Sequence, residues 1–190
     1  ICQAVLDHLH ATPENKVILN LPTTVDALRE FTSAKNVSLF TRHGIFSESE
    51  MLSRKEVMLE NYSKVLNIEA LTMLDMVWHD ILPAVSAYSK ELSDAALSKK
   101  ELGVEYGFEK ELCEKISGLI AELVNQANNL DAEVSEVNCI SDNYTRPAAY
   151  KDRVLPAMAV LRDTADELET RTAKKHWPYP SYADILFSVK

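Results

Sequence analysis

The sequence predicts an all-α protein, in which three long, kinked helices form an elongated antiparallel bundle between a connector of short helices and an aromatic strap. Its 190 residues include only four glycines, well below the average share of about 7%, which favours a few long helices over many short strands. Residues 47–102 keep an uninterrupted helical pattern, and two later segments repeat apolar residues at steps of four and three. We therefore expect a connector over residues 1–46 and the bundle with its strap over residues 47–190.

The connector carries several short elements with recognisable ends. Either Thr23 or Thr24 can cap a helix, and Asp26 lies in the first turn, where the helix dipole favours a carboxylate. Gly44 is placed to end the next helix. The chain begins at Ile1 without a helix cap, so we expect it to be part of a longer protein. The expected elements are a helix over residues 1–10, an extended run over 16–21, and helices over 25–31 and 33–42.

The first long helix is expected to begin at a capping box formed by Ser47 and Glu50. Its centre, residues 65–88, is apolar around most of its circumference, which indicates a helix buried on several sides. Pro83 lacks a backbone N–H and crowds the carbonyl of His79, so we expect a bend there.

The second and third long helices each carry a heptad seam, which indicates an antiparallel bundle. Gly103 and Gly107 mark the turn into the second helix. Pro147 marks the start of the third helix, and Pro156 is expected to kink it one or two turns later. The seams consist of Leu112, Ile116, Leu119, Leu123, Ala127, Leu130, Val134 and Val137 in the second helix, and of Val154, Met158, Leu161, Ala165, Leu168 and Thr172 in the third.

Composition excludes several classes of function. The formal charge of −9 is unfavourable for a nucleic-acid binder that works through a broad basic surface. No run of about 18 apolar residues is present, so we expect no contact with a membrane. The three cysteines, Cys2, Cys113 and Cys139, are an odd number without regular spacing, which favours free thiols in a reducing, cytoplasmic compartment.

We predict no catalytic, cofactor-binding or metal-binding residue in this chain. Its glycines are dispersed and match neither the P-loop nor the dinucleotide-binding pattern. His8 and His10 stand two residues apart, on different faces of the expected helix, which favours a solvated pair over a shared metal.

Six residues are candidates for buried polar or interface positions. Glu69, Asp75 and His79 interrupt the apolar centre of the first long helix. Asp75 and His79 share a helical face, and we favour a local carboxylate–imidazole pair over a catalytic dyad. Glu69 can pair locally or with a basic residue of a neighbouring domain. The other candidates lie in the strap, where a docked segment is favoured over a binding cage, and they are Trp177, Tyr179 and Tyr182.

Several long peptides are too specific to be generic heptads: TTVDAL at residues 23–28, ENYSKVLNIEALTM at 60–73, LPAM at 155–158 and WPYPSYADILFSV at 177–189. In this order they resemble the C-terminal region of the type III glutamine synthetases. The resemblance extends from about residue 21 to the end of the chain.

The resemblance implies a parent ligase of nitrogen metabolism that joins ammonia to glutamate with ATP and a divalent metal, magnesium or manganese. The residues for that chemistry would lie in an upstream catalytic domain, so this chain would bind no cofactor and would be inactive alone. The family assembles from stacked hexameric rings, which implies the upstream domain and neighbouring subunits of a homo-oligomer as partners. The alternative is a free-standing helical adaptor that uses its long hairpin to bind another protein.

Overall fold

A computed structural model describes residues 21–180 and 182–187, and these residues form helices and no strand. The all-α prediction is confirmed for this part of the chain. Several predictions fall outside the described residues. They are the helix over residues 1–10, the extended run over 16–21 except for Leu21, and the statements on Cys2, His8 and His10. In chain order the α-helices are α1 (Thr24–Phe31), α2 (Ala34–Arg42), α3 (Glu48–Met76), α4 (Leu82–Glu101), α5 (Gly107–Asn138), α6 (Thr145–Ala149), α7 (Leu155–Arg171) and α8 (Tyr182–Leu186).

The chain folds into two compact units, the first of Ile1–Lys64 with Asp142–Lys151 and the second of Val65–Ser141 with Asp152–Lys190. The predicted domain boundary between residues 46 and 47 differs from the boundaries of these two units, and it stays a prediction.

Local capping explains the helices of the first unit. Thr23 caps α1 by accepting a 3.3 Å hydrogen bond from the Asp26 N–H, as expected for an N-cap threonine. Gly44 follows α2 with φ of +63°, a conformation that glycine adopts without strain. The Ser47–Glu50 capping box is present: the Ser47 N–H bonds the Glu50 carboxylate at 2.8 Å, and the Glu50 N–H bonds the Ser47 hydroxyl at 3.3 Å. A small core of Val25, Leu28 and Leu59 joins α1 to α3.

Pro83 and Pro156 each follow a π-helical turn. The turns are Val77–Ile81, between α3 and α4, and Tyr150–Val154, between α6 and α7. In the first, the Leu82 N–H bonds the Val77 carbonyl five residues back. Pro83 cannot donate to the carbonyl of His79, so the regular helical pattern is interrupted where the sequence predicts a bend. Pro156 stands at the same distance after the second turn.

Heptad packing forms the core of the second unit, where α4 packs on α5 and α5 packs on α7. The predicted seam of α5 is buried from Ile116 to Val137, and Leu112 at its start is half-buried. In α7, Ala165 is half-buried and Thr164, which lies outside the predicted seam, is buried. The other predicted seam residues are buried, namely Val154, Met158, Leu161, Leu168 and Thr172.

The prediction that the centre of the first long helix is buried on several sides is wrong for the chain as described. Leu66, Ala70 and Leu74 are buried on one side of the helix. The opposite side remains exposed despite its apolar residues, which are Val65, Ile68, Leu71 and Trp78. None of the described helices is both long enough and apolar enough to cross a membrane.

Candidate functional site

The three polar candidates of α3 and the following π-helical turn are exposed in this chain, so within it they are not buried polar positions. Asp75 and His79 form the expected local pair, with 2.8 Å between His79 Nδ1 and Asp75 Oδ1. Their side chains are 74% (His79) and 72% (Asp75) exposed, so water screens the interaction between them. Glu69 is also exposed. These residues lie on or beside the uncovered side of the helix, which is why water reaches them. Their role at an interface stays a prediction.

Four exposed apolar residues of α3 and the π-helical turn that follows it define what we call the α3 face: Val65, Ile68, Leu71 and Trp78. Val65, Ile68 and Leu71 are each three residues apart, and at about 100° per residue they fall within an arc of about 120°. Asp75 lies on the same arc. The α3 face is therefore a continuous apolar strip with a carboxylate near its end, a composition typical of a contact surface.

The segment after α7 is attached to the second unit by polar contacts. The Lys175 ammonium lies 2.7 Å from both carboxylate oxygens of Glu91, and His176 Nε2 lies 2.8 Å from one of them. The hydrogen bond from Lys175, followed by that from His176, lowers the pKa of Glu91. The His176 ring also contacts the ring of Tyr88, with 5.4 Å between the centroids.

Two aromatic residues of the strap border a cleft of about 300 Å³ in the second unit. Trp177 and Tyr179 meet edge to face with centroids 6.3 Å apart, and the Tyr179 hydroxyl donates a 2.8 Å hydrogen bond to Asp80. Burial, and then the bond to Asp80, raise the pKa of Tyr179 to about 12. Tyr182 begins α8, and its side chain lies outside the described set. The rest of the cleft is lined by Met73, Met76, Val77, Ile81, Leu161, Arg162, Ala165, Asp166 and Glu169.

Sequence reasoning missed Glu91, Asp80 and the cleft. Glu91 and His176 are 85 positions apart, and Asp80 and Tyr179 are 99 apart, so no local spacing could reveal either contact. The aromatic residues of the strap were the only available signal, and they indicate a docked segment without identifying its partners.

The described residues do not fit a metal or nucleotide site. Within the part of the chain that the structure describes, no three His, Cys, Asp or Glu side chains are close enough to hold a metal ion together. The cleft is mainly apolar and has no glycine-rich backbone to surround phosphates. Cys113, whose thiol lies 3.1 Å from the Ser93 hydroxyl, is a free cysteine packed between helices.

Comparison with known proteins shows which family has sequences similar to this chain. Residues 9–100 match the family model described as the glutamine synthetase C-terminal domain. The chain is 36% identical over 177 residues to a glutamine synthetase of Butyrivibrio fibrisolvens, covering 90% of this chain and 25% of that protein. It is 30% identical over 185 residues to the type-3 glutamine synthetase of Dictyostelium discoideum, covering 92% of this chain and 24% of that protein. A glutamine synthetase of Bacteroides fragilis is 28% identical over 178 residues, with 90% and 24% covered.

The part of the chain that the structure describes is all-helical, and its matches are to glutamine synthetases. The chain belongs to the glutamine synthetase family and corresponds to its C-terminal domain, so the resemblance found in the sequence is confirmed. It spans about a quarter of the length of these relatives.

Proposed function

We propose that this chain is the non-catalytic C-terminal helical domain of a type III glutamine synthetase, where it completes the subunit and supports assembly of the oligomer. In this proposal the ligation of ammonia to glutamate belongs to an upstream catalytic domain, which also binds ATP and magnesium or manganese. The family match supports the identity of the parent. A cytoplasmic location is part of the same proposal.

The observation that carries the proposal is the α3 face. Ile68, at its centre, is 63% exposed, although an apolar side chain in a contiguous strip is unfavourable in water. The relatives are about four times as long as this chain, so such a parent has ample surface to cover the strip. We therefore infer that the α3 face contacts the upstream part of the same subunit.

The proposed architecture is an antiparallel bundle over residues 47–190 with the strap docked against it. The packing of α4 on α5 and of α5 on α7 supports the bundle. The bonds from Lys175 to Glu91 and from Tyr179 to Asp80 support docking of the strap. This arrangement would hold the α3 face in a fixed position for the catalytic part.

The proposal is tested by placing a charge on the α3 face of the full-length parent. We expect Ile68→Glu to reduce both assembly and glutamine formation, because a carboxylate would be buried without a partner. Leu97→Glu is the matched control, since Leu97 is 59% exposed on α4, outside the α3 face. Size-exclusion chromatography and a synthetase assay measure the outcome. Normal assembly and activity of the Ile68→Glu enzyme would rule out the α3 face as the contact.

The same variants in the 190-residue chain alone separate folding from docking. Ile68→Glu should leave its helix content and melting temperature nearly unchanged, because the position is already solvated. The chain itself should neither hydrolyse ATP nor form glutamine. Transfer of γ-glutamyl groups by the purified chain, free of contaminating enzyme, would contradict the non-catalytic role.

A free-standing helical adaptor is the second candidate, favoured by the turn between α4 and α5. Leu102, Val104 and Phe108 are exposed around this turn and could bind another protein. The upstream coding sequence distinguishes the two candidates. An adaptor would lack a domain with metal-binding carboxylates there, whereas a synthetase subunit would contain one.

A further inference from the structure

The cleft beside the strap has the size and lining of a small-molecule site. Its volume of about 300 Å³ is roughly twice that of a protein cavity that binds benzene, so it can hold one aromatic ring with a short side chain. Its apolar walls include Met73 and Met76 of α3 and Leu161 and Ala165 of α7. Small ligands usually bind in such mainly apolar clefts, where a few polar groups fix their orientation.

Two aromatic rings of the strap form a corner of this cleft. The rings of Trp177 and Tyr179 are inclined at 74° to each other, with 6.3 Å between their centroids. Both residues are half-buried, so they border the cleft and still reach water. The face of an aromatic ring carries partial negative charge and attracts a cation within about 6 Å of its centroid, most strongly in tryptophan. The corner therefore favours a positively charged group over a negatively charged one.

The rim of the cleft is acidic. Arg162 and Asp166 form an ion pair of 3.5 Å, so each offsets the charge of the other. Glu169 follows on the same helix and lines the same cleft, and it has no ion-pair partner among the described residues. The rim therefore has a net charge of −1, from one guanidinium and two carboxylates.

Two further carboxylates act on the aromatic corner. Asp80 accepts the hydrogen bond from the Tyr179 hydroxyl, and Asp75 is near enough for its charge to act on the same tyrosine. After burial and the bond to Asp80, the charges of Asp80 and Asp75 are the remaining causes that raise the pKa of Tyr179. The negative charge that disfavours a phenolate at this corner also favours a cation there.

We propose that the cleft binds a small organic cation, namely a protonated amine that carries an aromatic ring. The ring would lie against Met73 and Met76, because thioethers pack well against aromatic rings. The ammonium group would face the two strap rings and the carboxylate of Glu169. This inference goes beyond the proposed function, and it does not depend on which upstream domain the parent contains.

Methionine NMR of the 190-residue chain tests the proposal directly. The chain has five methionines, of which Met73 and Met76 line the cleft, so labelled methyl groups report on the site and also provide controls. The probe is 2-phenylethylammonium, which combines a single ring, a short chain and a positive charge. We expect saturable shifts of the Met73 and Met76 methyl resonances. The resonance of Met58, an exposed residue that does not line the cleft, should not move.

Matched ligands test the requirement for charge. The neutral 2-phenylethanol has the same ring and chain, and it should bind at least about tenfold more weakly than the ammonium, because it lacks the attraction to the ring faces and to the acidic rim. The anion 3-phenylpropionate should bind more weakly still. Butylammonium, which reproduces the end of a lysine side chain, should also bind more weakly than the probe, because it leaves the space for the ring empty. Equal or tighter binding of butylammonium would identify a lysine of another protein as the occupant and would contradict the proposal.

Two variants test the location of the site. Ala165→Trp should fill the cleft and abolish binding. Glu169→Gln should weaken binding of the ammonium about two- to fivefold and leave that of 2-phenylethanol unchanged, because an exposed carboxylate adds only a modest attraction. Glu101→Gln makes the same chemical change at an exposed residue that does not line the cleft, so it should have no effect. The methyl resonance of Met158, which is buried in the core, shows for each variant that the unit is folded.

Three other results would overturn the proposal. Unchanged Met73 and Met76 resonances at tens of millimolar probe would show that the cleft does not bind it. Equal affinities for the ammonium and the alcohol would show that the cleft does not select a cation. Equal binding by the wild type and a folded Ala165→Trp chain would place the ligand elsewhere.

Discussion

Tyr179 and Asp80 connect the strap to the π-helical turn of the long helix, through a 2.8 Å hydrogen bond from the tyrosine hydroxyl to the carboxylate. Both residues stand next to the cleft. Because the carboxylate can only accept this bond, it requires the protonated form of Tyr179. The attachment of the strap is thereby linked to the ionisation of one tyrosine.

Ionisation of Tyr179 should release the strap at high pH. Its pKa is raised to about 12, above the ordinary tyrosine value of 10, so its stabilising contribution is complete below pH 10 and is lost as the pH rises towards 12. NMR of chains with labelled tyrosine ring carbons should show one resonance titrating near pH 12. Asp80→Asn should lower that value by removing the acceptor charge.

The appropriate control for this titration is Tyr144, whose hydrogen bond to Glu56 raises its pKa. Glu56→Gln should shift Tyr144 and leave the Tyr179 resonance in place. Titration of Tyr179 at the ordinary value of 10 would mean that the bond to Asp80 is not formed in solution.

Glu91 should hold the strap at neutral pH and release it in acid. The bonds from Lys175 and His176 lower the pKa of Glu91, so its contribution is present above the ordinary carboxyl value of 4.5 and is lost as the pH falls below it. In a Trp78→Phe background, Trp177 is the only tryptophan and reports on the strap. Its emission should shift to longer wavelength below about pH 4.5, and Glu91→Gln should produce much of that shift at pH 7. If the Trp78→Phe chain had the same emission spectrum at pH 7 with and without Glu91→Gln, Glu91 would not attach the strap.

Local chemistry accounts for the parts of the fold that could be predicted. The Ser47–Glu50 box and the Thr23 cap involve residues three apart, so the sequence displays both partners together. The seam of α5 was predictable because its burial repeats at the heptad period. The π-helical turns were not predicted as such, since Pro83 and Pro156 indicate a disruption without specifying how the backbone resolves it.

Which side of α3 is buried could not be predicted. A helix that is apolar all round gives no information on which of its sides other helices cover. Leu66 is buried and Ile68 is exposed, although both are large aliphatic residues two positions apart. Only the placement of the other helices distinguishes them. The contacts of Glu91 and Asp80 with the strap were likewise inaccessible, because they depend on tertiary packing over 84 or more positions.

The capping box should stabilise the start of α3 measurably. Ser47→Ala removes the hydroxyl that accepts from the Glu50 N–H, and such a loss typically costs about 1 kcal/mol of unfolding free energy. Ser53→Ala is the nearby control, because Ser53 lies exposed within the same helix, outside the cap. Urea denaturation of the two variants measures the difference. Equal unfolding free energies of the two variants would show that water replaces the Ser47 hydroxyl as acceptor without loss of stability.

The seam of α5 gives the most direct test of the core. Leu123 is completely buried, so Leu123→Ala should leave a cavity and reduce the unfolding free energy by about 2–5 kcal/mol. Leu97→Ala makes the same chemical change at an exposed position of α4 and should cost less than about 0.5 kcal/mol. Urea denaturation followed by circular dichroism measures both, and an unchanged slope with denaturant would show that only the native packing has changed. If Leu123→Ala cost no more than Leu97→Ala, the predicted phase of α5 and the packing of α4 and α7 against it would both be wrong.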